Sequence, residues 1–224
     1  MKSILYTIGL VIMTHSISST AQAAINFPTT DVVINPNGYI GGHFGNVVNY
    51  NEWVGSATAE AEMNNGVLET ASTSPTFRGA AMVFDSSYFN VPGDYELTFD
   101  VTYHSSGPEN TGNVNIWSGS GYNTTDSALI VDTQSGTLRT TGSAVSTELG
   151  SLLVQSTGNN QSIAFTYDGT SDVAFFFGAT SGSAGHPEVN YANISVQAVP
   201  EPSTYALVLG LTSVFFVARR RKRI

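Results

Sequence analysis

The sequence predicts an all-β protein, an antiparallel two-sheet β-sandwich with jelly-roll topology. Short alternations of apolar and polar residues recur at intervals of about ten residues, separated by Gly, Asn, Asp, Ser and Pro. No stretch between Ala24 and Val199 carries the apolar period of an amphipathic helix. No internal repeat is visible, which argues against a propeller or a solenoid.

The earliest strands form a hairpin. Glu60 to Met63 and Val67 to Thr70 flank Asn64-Asn65-Gly66, and Asn-Gly favours the left-handed backbone of a tight turn. Ala80 to Phe84 follows. The clearest strand is Tyr95 to His104, opened by the turn Pro92-Gly93-Asp94. Its Tyr95, Leu97, Phe99, Val101 and Tyr103 alternate with Glu96, Thr98, Asp100, Thr102 and His104, as one dry and one wet face require. Asn113 to Trp117 comes next. Ala128 to Asp132 then turns through Gln134-Ser135-Gly136 into Thr137 to Thr140. Gln161 to Tyr167 places Ile163, Phe165 and Tyr167 on one face, and Asp168-Gly169 turns the chain into Val173 to Phe177. That last run is apolar on both faces and so belongs at a sheet centre. Tyr191 to Ala198 closes the domain, with Ala192, Ile194, Val196 and Ala198 expected inward and the chain end beside the first strand.

Both termini read as addresses rather than as fold. Lys2, the apolar stretch Ile4 to Met13 and the small-x-small pattern Ala21-Gln22-Ala23 describe a secretory signal peptide over residues 1–23, cut after Ala23 by signal peptidase. The other end, residues 199–224, has three parts. Pro200-Glu201-Pro202 is an extended hinge that can join neither a helix nor an inner strand. Tyr205 to Ala218 is an uncharged apolar run, shorter than the ~20 residues of an ordinary membrane-spanning helix. Arg219, Arg220, Arg221, Lys222 and Arg223 form a basic end that stays on the cytoplasmic side of the inner membrane. The sandwich itself occupies residues 24–198.

The order Val-Pro-Glu-Pro-Ser-Thr, short apolar helix, Arg-rich terminus resembles the PEP-CTERM sorting signal of Gram-negative bacteria. The resemblance implies recognition by an exosortase, a membrane-embedded enzyme like a cysteine transpeptidase. It implies cleavage near the hinge and delivery to the cell surface or extracellular matrix, in organisms that make exopolysaccharide. The central domain also resembles, in pattern, the carbohydrate-binding and laminin-G-like sandwiches of secreted proteins. The residues that carry this are Asn65-Gly66-Val67-Leu68, the strand Tyr95 to Tyr103, and Tyr191-Ala192-Asn193-Ile194-Ser195-Val196.

Charge sorts itself at the same boundaries. Without the two ends only Arg78 and Arg139 remain, against 16 of the 17 acids, because Glu201 alone leaves with the tail; the net charge is −14. Such a surface repels a phosphate backbone, which excludes nucleic acid as a partner. The chain has no cysteine, which excludes disulfides and thiolate zinc sites.

No catalytic constellation stands out. Glu60 and Glu62 share a strand face but lack the third acid of a sandwich glycosidase, and Glu96, Asp100 and His104 read as a wet outer face. His43 and His186 sit in Gly- and Pro-bounded loops, and no Gly-x-Ser-x-Gly elbow is present. Hard oxygen ligands suit a structural calcium ion, with Asp31, Glu52, Asp85 and Asn190 as candidates, although no Asp-x-Asp-x-Asp loop occurs. For polysaccharide contact the candidates are Trp53, Trp117 and Tyr122, with Tyr50 nearby, because aromatic rings stack on pyranose faces. Trp117 to Tyr122 is expected to be a flexible loop between two aromatics, while either Trp is equally suited to a sandwich core. The reading is thus an exported structural or polysaccharide-binding protein. Its alternatives are a secreted polysaccharide-acting enzyme, or a subunit that assembles through its edge strands.

Overall fold

The computed structural model describes residues 24–34, 51–55, 60–71, 77–89, 91–104, 111–120, 129–132, 137–140, 145–180 and 188–200. Fourteen strands occur among them. The first three are short: β1 (Ile25–Asn26), β2 (Val32–Val33) and β3 (Val54–Gly55). Next come β4 (Glu60–Asn64), β5 (Val67–Ala71), β6 (Phe77–Phe84) and β7 (Gly93–His104). β8 (Thr111–Ser120), β9 (Leu129–Asp132), β10 (Thr137–Thr140) and β11 (Val145–Val154) follow. The chain closes with β12 (Gly158–Tyr167), β13 (Asp172–Thr180) and β14 (Glu188–Ala198). A three-residue 3-10 turn, Ser86–Tyr88, is the only helical element among the described residues.

Two antiparallel sheets form the sandwich. Sheet A runs β12-β7-β14-β5-β4-β2, with β1 also on β14; sheet B runs β11-β8-β13-β6-β3. β9 and β10 make a separate two-stranded ladder, Leu129 opposite Thr140. The predicted strands are therefore present, and β13, apolar on both faces, is the middle strand of sheet B. The β4–β5 hairpin turns at Asn65 (φ 49) and Gly66 (φ 78) with Asn64 opposite Val67, which is the two-residue primed turn that Asn-Gly encodes. The last strand lies beside the first, Ile25 opposite Val196.

The core lies between the sheets and is rich in aromatic rings. Tyr95, Leu97, Phe99 and Val101 of β7 and Ile163, Phe165 and Tyr167 of β12 face Val173, Phe175 and Phe177 of β13. Phe27 meets Phe84 edge-on with centroids 5.1 Å apart, and Phe89 meets Tyr95 in the same way at 5.3 Å. Such pairs contribute about 0.5–1.5 kcal/mol each beyond the area they bury. In a chain without cysteine, backbone ladders hold each sheet together and side-chain packing joins the two layers.

Two features depart from the sequence reading. β11 was not expected; its register shifts between Glu148 and Gly150, and this bulge breaks the alternation that marks a strand. β14 is bulged as well, between Ala192 and Ser195, where Asn193 takes φ 52. The extra residue rephases the strand. Val189 and Tyr191 face the core before the bulge and Ile194 and Val196 after it, whereas Ala192, expected inward, lies outside the core cluster.

Candidate functional site

Strand pleating gives sheet B a second face. On β13, Val173, Phe175 and Phe177 join the inter-sheet core, so Ala174 and Phe176 point the other way. On β8, Val114 and Ile116 point inward and Asn113, Asn115 and Trp117 outward. Cross-strand register sets Trp117 beside Ala174 and Asn115 beside Phe176, and Ala174 lies opposite Val83 of β6. These outward residues are withdrawn from solvent: Asn113 is 9% exposed, Asn115 8% and Trp117 7%. The Nδ2 of Asn115 and the Nε1 of Trp117 have no hydrogen-bond partner. Two donors, two residues apart on one strand face, are thus buried without acceptors, an arrangement that costs about 1–3 kcal/mol per group unless something supplies one.

The outer face of sheet A is polar and braced by a carboxylate. Asp100, on β7, stands between two bulges, one in β12 between Gly158 and Gln161 and one in β14. Its Oδ1 accepts the backbone N–H of Asn160 at 2.7 Å and its Oδ2 accepts the side-chain amide of Asn193 at 2.7 Å. Asn160 and Asn193 both have φ 52, a left-handed conformation that asparagine tolerates better than most residues. The Asn160 N–H first and the Asn193 amide second hold the Asp100 carboxyl below its usual range. The clamp is local chemistry with structural reach, because it ties three adjacent strands at the two places where their ladders fail.

The expected site residues are distributed unevenly. Trp53 packs on Phe27 and Phe177 and donates its indole N–H to the Pro28 carbonyl at 3.2 Å, so it closes one end of the core. Trp117 stands within β8, which continues to Ser120; Trp117 to Ser120 is strand and not loop. Neither indole offers its face to solvent as the stacking argument supposed. Asn113 and Asn115 were overlooked, and what marks them is their place at every second residue on the way to Trp117. Tyr50, Tyr122, His43, His186, Ala21 and Ala23 lie outside the described residues. So do Glu201, Pro202, Arg219, Arg220, Arg221, Lys222 and Arg223, and the apolar run between them. Pro200 is described and exposed. Among the described residues no helix is long and apolar enough to cross a membrane.

Among the described residues no group of three or more His, Asp or Glu converges as a metal site would require. Three of the calcium candidates are engaged separately. Asp31 accepts the Asn65 N–H at 2.8 Å, Asp85 accepts the Ser87 N–H at 2.8 Å, and the Asn190 amide donates to Glu188 at 3.0 Å.

Fold and terminus together define an exported β-sandwich protein with a sorting signal at its C-terminus. More particularly, residues 198–222 match the PEP-CTERM protein-sorting motif, which marks a surface protein processed by exosortase. The motif begins on Ala198, the last residue of β14, and the Val199 N–H still donates to the Asp94 carbonyl at 2.8 Å. No curated protein matches the chain in sequence. Among solved structures, the CBM22-2 xylan-binding domain from Paenibacillus barcinonensis is similar with a TM-score of 0.42 at 13% identity, covering 69% of this chain and 96% of that one. A CBM4 structure aligns at 0.36 and 14%, covering 62% and 75%. A CBM22 xylan-binding domain aligns at 0.33 and 14%, covering 78% and 99%.

Proposed function

We propose that this chain is a non-catalytic surface protein that contacts extracellular polysaccharide through the outer face of sheet B. Residues 1–23 direct export and are removed by signal peptidase after Ala23. The apolar run Tyr205 to Ala218 holds the precursor in the inner membrane until exosortase acts at Pro200-Glu201-Pro202. The freed domain then takes its place at the surface or in the matrix. From β5 onward the chain repeatedly changes sheets, as β5-β6-β7-β8 and β11-β12-β13-β14, and this alternation supports jelly-roll topology.

One observation carries the glycan reading: the paired, unpartnered donors of Asn115 and Trp117. Sugar hydroxyls and ring oxygens are acceptors of the kind that these donors lack. Asn113 continues the same row.

The test replaces Trp117 by Phe and Asn115 by Ala and measures retention of the exported protein on its native exopolysaccharide matrix. Each lost bond contributes about 0.5–1.5 kcal/mol net, so the double variant binds about tenfold more weakly. The free protein, relieved of two orphaned donors, keeps or gains stability. Unchanged retention sinks the proposal. An equal loss of retention and stability assigns these residues to packing alone. Intact-mass measurement of the same material, showing both ends removed, tests the processing steps.

A further inference from the structure

Sheet A contains a notch. Along one side of β14, β5 pairs with Glu188 to Ala192 and β1 pairs with Ser195 and Val196, so Asn193 and Ile194 have no ladder partner there. The chain leaves β1 through Phe27, whose N–H reaches the Ile194 carbonyl at 3.5 Å, while β5 begins at the Asn65-Gly66 turn. Between them lies an open groove of about 650 Å³, whose lining includes Asn26, Phe27, Thr29, Asn65, Asn193 and Ser195. That volume lies within the usual range for small-ligand sites.

We propose that this groove is a second saccharide site, specific for neutral polyhydroxylated chains. Its walls are fixed in advance. Asn65 and Asn193 are both left-handed, at φ 49 and φ 52, and each is tied to an aspartate. Asp31 accepts the Asn65 N–H at 2.8 Å, and Asp100 accepts the Asn193 amide at 2.7 Å. Strained backbone that persists because its surroundings hold it gathers at binding sites, and bulges re-aim side chains there. The amides of Asn65 and Asn193 donate within the protein, to Asn64 and Asp100, which leaves the oxygen of each as an acceptor. Among the described residues the Asn26 and Thr29 side chains make no hydrogen bond, so an amide and a hydroxyl add both donors and acceptors. Adjacent donor and acceptor atoms on neutral groups match vicinal hydroxyls. No charged side chain lines the groove, two carboxylates stand behind its walls, and the domain carries −14, because Arg78 and Arg139 are its only cations against 16 acids. An anionic chain is therefore excluded.

The groove belongs to sheet A and does not depend on the sheet-B site. With both occupied, one domain bridges two glycan strands, a consequence that rests on the reading of Trp117 as well.

The experiment titrates cellohexaose and xylohexaose, with an anionic hexagalacturonate as control, into the exported protein and follows amide chemical shifts. Asn26→Ala with Asn65→Gly strips two amides and keeps a residue that accepts positive φ in the turn. The wild type shows shifts at Asn26, Asn65 and Asn193 with a neutral hexasaccharide, and the double variant binds there at least tenfold more weakly. Trp117→Phe leaves those shifts in place, so failure of the sheet-B site alone does not touch this one. The proposal is overturned by wild-type groove affinity in the double variant, by the absence of any shift around Asn193, or by hexagalacturonate binding as well as the neutral sugars. Should the double variant lose stability, the wild-type shift map decides.

Discussion

Removing a single oxygen from Tyr191 tests how the two sheets are joined. Tyr191 rises from β14 in sheet A, is 0% exposed, and donates its hydroxyl to the Gly178 carbonyl of sheet B at 2.7 Å. Gly112 makes room for this contact, because a Cβ there would stand 2.9 Å from the Tyr191 hydroxyl. Tyr191→Phe keeps the ring against Phe177 (5.3 Å) and Phe99 (5.9 Å) and removes only the polar bridge. With the Gly178 carbonyl deprived of its buried donor, the cost is about 1–3 kcal/mol. For a domain of this length that lowers Tm by about 2–4 °C per kcal/mol. Tyr191→Ala removes the ring too and costs about 3–5 kcal/mol. Urea unfolding reads the difference as a lower midpoint at constant slope. A Tyr191→Phe midpoint equal to wild type would refute the bridge. Equal losses in the Phe and Ala variants would show that the ring contributes nothing, contrary to its packing.

Two pH effects follow from the same structure. Burial, aided by the neighbouring charges of Asp168 and Asp172, pushes Tyr167 up to about 12, and burial pushes Tyr191 up as well. The unfolded chain releases these phenolic protons near the ordinary tyrosine value of 10.0, so stability is intact below pH 10 and falls as pH rises from there toward about 12. Thermal melts across that interval check this, and Tyr167→Phe removes part of the slope. Asp168 behaves in the opposite sense. The Ser171 hydroxyl first, then the Thr170 and Ser171 N–H groups, pull its carboxyl down to about 2, from the ordinary aspartate value of 3.8. Its contribution is therefore complete above pH 3.8 and is lost as pH falls toward about 2. Asp168→Asn flattens this acid limb, and an unaltered limb would place the acid sensitivity elsewhere.

Period-two alternation made β7 and β12 legible, and Asn65-Gly66 announced its turn, because one buried face and one left-handed pair leave direct marks on sequence. The bulges leave almost none. A single extra residue at Asn193 puts the two halves of β14 out of phase, so Ile194 and Val196 face inward after it while before it Tyr191 does and Ala192 does not. β11 was hidden by the same device at Glu148 to Gly150. The site followed this division. Trp117 was visible as an aromatic, but its neighbours Asn113 and Asn115 became meaningful only once β8 was known to turn them away from the core.

Local and covalent order determined the all-β character, the turn at Asn65-Gly66, the acidic body and the sorting signal at the chain end. Each depends on residues that are neighbours along the chain. Tertiary structure alone decided that Asp100 would clamp Asn160 and Asn193, 60 and 93 positions away, and that β5 and β1 would part beside the bulge. Such contacts are set by strand register, and register emerges only when every face competes for the same core.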